Sequence, residues 1–323
     1  MRLRSLLAGA AAAAAMVFGR PALVMAQEHP AAAQEPAHAA EPVGPAQIIM
    51  PHITDSKEIE YPCVKNLREW ACEATLPTWN VRIGGKTVDM GLTKHVVFLI
   101  LAGVVTLALL LGVAASHKRH SHESGRPKGF AAGMEAVILY LRNEIYIPVL
   151  GGHGGERYVP FCLTLFFFIV FCNLFGLLPW GSTPTGNIAV TATLAAITFV
   201  VIEVAGMRAL GKGYIGTIIY WPHDQPFIMK ALMTPIMTPV EIVGKFTKPF
   251  ALTIRLFANM IAGHVIILAL IGLIFMFGYI VSPLPLFMAL FIMVLEILVA
   301  FIQAFIFSLL AAVFIGQIRA AHH

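Results

Sequence analysis

Charged side chains are scarce in this 323-residue chain. They make up 12% of its residues, against roughly one-quarter in soluble domains, whereas hydrophobic residues make up 58% and the mean hydropathy is +0.80. This composition excludes an ordinary soluble domain. It predicts an all-α polytopic membrane protein, because a segment that crosses a bilayer must satisfy its own backbone hydrogen bonds.

Several signatures of other protein classes are also missing. No phosphate-cradling loop of the Gly-x-x-x-x-Gly-Lys-Thr type occurs, so nucleotide chemistry is not expected of this chain. No metal-ligand or cofactor motif is present, and none is predicted. The net charge of +5 does not indicate nucleic-acid binding, because the basic residues fall in short segments between apolar runs, where they set membrane orientation.

The N-terminal 89 residues differ from the rest of the chain. A basic start, a short Ala-rich apolar run and the small-residue site before Gln27 predict a signal peptide over residues 1–26. Residues 27–89 are expected to form a periplasmic Ala/Pro-rich linker followed by a small polar extension, and residues 90–323 the membrane domain. Cys63 and Cys72 fall in the extension, and their spacing leaves both a disulfide and two free thiols open.

Apolar runs in the membrane domain predict about five membrane-embedded helices. Basic residues after the first run mark the cytoplasmic side, which leaves the N-terminus outside and the C-terminus inside. The last two helices are long, so they are expected to form a tilted hairpin. A mixed segment at residues 128–148 favours an interfacial amphipathic helix, and another at 221–248 is expected to be broken by Pro235 and Pro239. The five runs are residues 94–115, 158–178, 188–207, 249–278 and 286–319.

Arg255 is the least expected residue of the membrane domain, because it lies inside the fourth apolar run. A guanidinium cannot shed its charge, and burying it at mid-bilayer costs roughly 2.5–3.5 kcal/mol on insertion scales. An Arg near a helix end often extends its head to the interface instead. Arg255 is followed by too long an apolar stretch for that explanation to be preferred, so we interpret it as a functional residue.

Other polar residues of the last two helices form an ordered set around Arg255. Asn259 follows it by one turn and shares its face, and His264 lies about 13 Å further out. On the last helix Gln303 is expected near mid-depth, and Glu296 about 10 Å nearer the outside on the same face. Glu241 supplies a carboxylate on the cytoplasmic approach. This order predicts two aqueous half-pathways separated by one fixed positive charge. Asn259 and Gln303 would equally serve as hydrogen-bonding contacts between helices.

Residues 252–264, LTIRLFANMIAGH, resemble the signature of subunit a of the F-type ATP synthase. Residues 171–179, 184–191 and 302–307 resemble further stretches of the same family, and the likeness covers about residues 90–323. It implies a stator subunit that is no enzyme by itself, without cofactor or metal. Its expected partners are the ring of c subunits, the peripheral-stalk b subunits and the soluble catalytic sector, in the inner membrane of a bacterium.

The resemblance also implies a role for each polar residue. Arg255 would face the c-ring carboxylate and bar a direct leak, supported by Asn259 and Gln303. Glu241 would serve the inner half-channel. His264 and Glu296 would form the outer proton relay, with the acid and the imidazole exchanged between helices relative to some members. Acidic residues that some members carry near residues 171–179 are absent, which leaves the mouth of the outer channel unassigned.

A secondary cation/proton antiporter is the alternative of a different class. It would also bury Arg, His and Glu, but such transporters are commonly built from inverted repeats with broken helices. No such repeat is evident in this sequence.

Overall fold

The structure is a computed structural model that describes residues 54–61, 72–78, 80–83, 86–89, 91–120, 129–151, 154–178, 181–219, 226–278 and 282–320. The predicted signal peptide and Cys63 lie outside these residues.

The polar extension contains two short β-hairpins, which the sequence did not predict. Strand β1, Glu58–Tyr61, pairs antiparallel with β2, Cys72–Thr75, and β3, Asn80–Ile83, pairs antiparallel with β4, Lys86–Asp89. The backbone N–H of Lys94 then donates to the carbonyl of Ser56 at 2.9 Å. This bond ties the start of the extension to the start of the first long helix.

The remainder of the described chain is helical, and the predicted all-α polytopic fold is confirmed. Among the described residues, five helices are long and apolar enough to cross a membrane, namely α1, α4, α5, α6 and α7. The segment expected to be amphipathic forms α2, a π-helical turn and α3. The helices are α1 Lys94–His120, α2 Phe130–Tyr140, α3 Ile147–Leu150, α4 Val159–Gly176, α5 Ile188–Leu210, α6 Phe227–Phe277 and α7 Pro283–Ala320, with the π-helical turn at Leu141–Tyr146 and 3₁₀ turns at Glu156–Tyr158, Pro184–Gly186 and Gly211–Thr217.

Helix α6 runs unbroken for 51 residues, so the expectation that Pro235 and Pro239 interrupt it is wrong. Each proline removes one backbone hydrogen bond, but the bonds of the adjacent turns remain. Both prolines are exposed. Residues 227–248 of the expected mixed segment and residues 249–277 of the expected helix are therefore one continuous element.

Helix α7 packs against α4, α5 and α6, and α4 also packs against α1. Cys162 and Cys172 of α4 are free thiols, and both are fully buried in the apolar bundle. The hydroxyl groups of Tyr146 and Ser308 lie 2.7 Å apart and join the π-helical turn to α7. The bundle thus holds α7 between several helices, which fixes its polar side chains in place.

Candidate functional site

Helix α6 has two different faces near its middle. Leu252, Leu256 and Met260 recur every four residues and are at most 2% exposed, so they form the face packed into the bundle. Arg255 is exposed and lies about 100° around the helix from the centre of this face, and Asn259 follows it by one turn at intermediate exposure. The structure therefore directs Arg255 away from this chain's own core.

Helix α7 carries the two buried polar residues that the sequence singled out. Glu296 is 4% exposed and Gln303 is 3% exposed, and the seven-residue spacing places both on one face of the helix. Within the described part of the chain, Oε2 of Glu296 and Nε2 of Gln303 have no hydrogen-bond partner. Buried polar atoms in native proteins are nearly always paired with protein or water, so these two atoms have unused hydrogen-bonding capacity inside the bundle.

Gly263 brings α6 and α7 into close contact beside Glu296. A Cβ on Gly263 would lie 2.6 Å from Oε1 of Glu296, so the absence of a side chain creates the space for the carboxylate. His264 is the next residue of α6. Glu296 thus lies against residue 263 of α6, while the pairing of His264 with Glu296 at one depth stays a prediction.

Asn173 of α4 was not assigned a role from the sequence. It is fully buried, its Nδ2 donates to the carbonyl of Ala300 at 3.4 Å, and its Oδ1 accepts from the Thr185 hydroxyl at 2.7 Å. Ala300 lies one turn after Glu296 on α7. A polar connection therefore runs from the 3₁₀ turn Pro184–Gly186 to the turn of α7 that carries Glu296. The motif at residues 184–191, which contains Thr185, was the sequence signal that could have indicated this connection.

A cavity of about 280 Å³ lies between α5, α6 and α7 on the other side of Arg255. Its wall includes Glu241, so the residue predicted for the inner pathway faces an open space. Leu252 also lines the cavity, and Arg255 follows Leu252 by three residues, or about 4.5 Å of helix rise. The cavity therefore approaches the arginine from the side opposite Glu296.

Lys245 binds several polar groups of the cavity wall. The sequence did not predict it as a site residue. Its ammonium lies 3.2 Å from Oε2 of Glu203 and donates to the hydroxyls of Tyr214 and Thr217, also at 3.2 Å. The side chains of Lys245 and Glu203 are 16% and 17% exposed. Glu203 is thus one half of an ion pair on the cavity wall.

Comparison with known proteins agrees with this geometry. Residues 96–316 match the ATP synthase A chain family. The chain is 48% identical over 239 residues to ATP synthase subunit a of Chloroherpeton thalassium, which covers 73% of this chain and 68% of the relative. It is 42% identical over 283 residues to the Anaeromyxobacter dehalogenans subunit a, covering 85% and 71%. It is 44% identical over 239 residues to that of Myxococcus xanthus, covering 73% and 76%.

The match includes all five long helices, the exposed arginine and the two polar regions on either side of it. Most of this chain aligns with relatives that share more than 40% of its residues in the aligned stretch. The chain therefore belongs to the ATP synthase subunit a family.

Proposed function

We propose that this chain is the proton-translocating stator subunit of a bacterial rotary F-type ATP synthase. It provides two half-channels that load and unload protons on the carboxylates of a ring of c subunits, and Arg255 separates them. One observation carries the proposal: Arg255 is exposed on α6, between a cavity lined by Glu241 and the buried carboxylate of Glu296. An antiporter lacks support, since the chain belongs to the subunit a family.

The exposure of Arg255 supports a role toward a partner. An unpaired guanidinium facing lipid would be costly, so we expect a carboxylate of another subunit to meet it. Ala251, Ala258 and Ala262 are exposed on the same helix, and small residues allow a partner helix to approach closely. We infer that this face contacts the ring, with Asn259 beside the arginine.

The outer half-channel would use the buried polar residues of α7. A proton arriving through His264 and Glu296 would neutralise a ring carboxylate close to Arg255. The neutral carboxyl could then rotate into lipid, whereas an ionised carboxylate could not do so at low cost. Gln303 has spare hydrogen-bonding capacity on the same face of α7 and would hold water or the ring carboxyl near the arginine.

The inner half-channel would use the cavity. A ring carboxyl that reaches it after nearly a full turn would release its proton toward Glu241, because the positive charge of Arg255 favours the ionised carboxylate. Charged residues of both signs line the cavity and make it wettable. This side needs no ordered relay, since water can carry the proton to the cytoplasm.

Partners and orientation follow from this role. The chain would contact the c-ring, the peripheral-stalk b subunits and, through them, the soluble catalytic sector that performs the nucleotide chemistry. It would lie in the bacterial inner membrane with its N-terminus in the periplasm and its C-terminus in the cytoplasm.

Substitution of Arg255 in the assembled complex tests the proposal. We expect Arg255→Lys and Arg255→Ala both to abolish proton-driven ATP synthesis, because an ammonium in a low-dielectric site can lose its proton whereas a guanidinium cannot. Arg255→Ala should also allow passive proton flux, since no fixed charge then separates the half-channels. The measurements are ATP synthesis and passive proton flux in reconstituted vesicles.

Arg208→Ala is the matched control, because Arg208 is an exposed arginine in the last turn of α5. It should retain most of the synthesis rate and show no leak. Near-normal coupled synthesis by Arg255→Ala would end the assignment of Arg255 as the barrier.

A further inference from the structure

A histidine is buried where the extension meets the first membrane helix. His95 is 4% exposed and lies in the first turn of α1. Its backbone N–H donates to Oδ1 of Asp55 at 3.3 Å, and its Nδ1 lies 3.5 Å from the same oxygen. The side chain of Asp55 is 29% exposed, so the carboxylate connects the buried ring with the surface.

A second polar group lies near the same ring nitrogen. Nδ2 of Asn187 lies 3.5 Å from Nδ1 of His95. The amide orientation of Asn187 is set by the helix cap, since its Oδ1 accepts from the backbone N–H of Ala189 at 2.9 Å. The amide must therefore present a donor, not an acceptor, to the histidine.

Resting on the proposed function, we infer that Asp55, His95 and Asn187 form the entry site of the outer half-channel, where a proton from the periplasm is taken up. The cluster brings together three segments that are distant in the sequence. It assigns a function to part of the N-terminal extension, and it supplies an acid at the mouth that the α4 stretch lacks.

The two partners of Nδ1 match the two protonation states of the ring. When Nδ1 carries no proton it accepts a hydrogen bond from Asn187, and when Nδ1 is protonated it donates to Asp55. A proton from bulk water would add to the ring and be held by the carboxylate. When Nδ1 then releases this proton to water on the inner side, it again accepts the hydrogen bond from Asn187. The net step moves one proton and leaves His95 and Asp55 unchanged.

The polar groups continue inward from this site. Asn187 is two residues after Thr185, whose hydroxyl donates to Asn173, and Asn173 contacts the α7 turn that carries Glu296. Among the described residues, the charged groups that act on the His95 ring are Asp55 from the extension and Lys94 on its own helix. The neutral Asn187, which caps the start of α5, also lies near the ring. One acid and one base therefore act on this histidine.

Two substitutions that preserve hydrogen bonding test the site in the assembled complex. Asp55→Asn keeps an oxygen that can accept from the His95 backbone but cannot take a proton, and His95→Gln keeps a polar side chain that does not titrate. We expect His95→Gln to slow proton-driven ATP synthesis by about tenfold at high outer pH. The loss should shrink as the outer pH falls well below the ordinary histidine pKa of about 6.5, because protons are then abundant at the mouth.

Asp55→Asn should show the same pH dependence with a smaller loss of synthesis rate. Asp55→Glu should retain most of the original rate. Glu58→Gln is the matched control, since Glu58 is an exposed carboxylate three residues from Asp55. Each rate is divided by the amount of assembled complex, and Glu296→Gln is measured alongside.

Rates for Asp55→Asn and His95→Gln that equal the Glu58→Gln rate at every outer pH would overturn the entry site. A loss that is the same at every pH would also overturn it, because a merely structural tie does not depend on proton supply. If Glu296→Gln is inactive in either case, the proposed function stands and only the entry site falls. Normal synthesis by Glu296→Gln would instead contradict the proposed outer relay.

Discussion

The two polar regions on either side of Arg255 are built differently. The outer region is closely packed: Asn173 is fully buried, Glu296 is 4% exposed, and Gly263 makes room for the carboxylate. The inner region is a cavity of about 280 Å³ with the Lys245–Glu203 ion pair on its wall. The outer region holds individual polar atoms in fixed positions, and the inner region encloses a cavity.

This difference indicates different demands on the two pathways. A closely packed region must pass a proton between defined groups, so small displacements should matter there. A cavity wide enough for water conducts through its solvent, so the identity of one wall residue should matter less. We therefore expect functional sensitivity to be high near Glu296 and lower near Lys245.

Removal of the outer carboxylate should have the largest effect. We expect Glu296→Ala to slow proton-driven synthesis by about 10²-fold or more, within the range that positioned proton-transfer groups contribute, while the complex still assembles. The double exchange His264→Glu with Glu296→His should recover more activity than either single change. Synthesis rates per assembled complex, measured in vesicles, test both expectations. A double variant no better than the worse single variant would refute the pairing.

The second-largest difference between the two regions should come from adding a single methyl group to a glycine in each. The Cβ of Gly263→Ala would press on the Glu296 carboxylate, and we expect about tenfold slower synthesis, because displacements of that order misalign proton transfer. Gly244→Ala is the matched control on the same helix, where nothing lies within 4 Å of the new Cβ.

Gly244→Ala should leave synthesis unchanged and raise stability by about 0.5–1 kcal/mol, from the better helix propensity of alanine. Equal rates for the two alanine variants would show that the packing beside Glu296 has no functional importance.

Breaking the inner ion pair should have the smallest effect on transport. Lys245→Met leaves Glu203 without its cation. We expect the complex to lose about 2–3 kcal/mol of stability, less than a fully buried pair would cost, because both side chains are partly exposed. Synthesis should change by less than about threefold, since water in the cavity still conducts. Thermal unfolding of the purified complex and its synthesis rate are the measurements.

Addition of Glu203→Gln to Lys245→Met should recover part of the stability, and Lys248→Met should cost little by itself. A complete loss of synthesis with unchanged stability would place Lys245 in the proton path and remove the contrast between the two regions.

Much of the membrane domain could be predicted from the sequence. Five apolar runs gave five helices, because hydropathy reports directly on which segments can face lipid. The predicted helix break at Pro235 and Pro239 was wrong, because the hydrogen bonds of the long helical segments on both sides outweigh the bonds that the prolines remove. The β-hairpins of the extension were missed because each strand has only four residues and carries little periodicity.

Some residues of the candidate site could be predicted from the sequence, and others could not. Arg255, Glu296 and Gln303 could be found because a polar residue in an apolar run is conspicuous. The partners of Lys245 and His95 could not, since Glu203 is 42 residues and Asp55 is 40 residues away in the chain. Such contacts depend on how the helices pack, which no local pattern encodes.

The unbroken helix α6 makes spacing itself a constraint on evolution. Glu241, Arg255 and Gly263 all lie on one rod, so their separations of about 21 Å and 12 Å are set by the helix rise alone. One inserted residue between them would rotate every later side chain by about 100° and turn Arg255 off its face. A substitution elsewhere along this rod leaves the separations of these three residues unchanged. An insertion or deletion does not, so the length of the stretch from residue 241 to residue 263 should stay fixed.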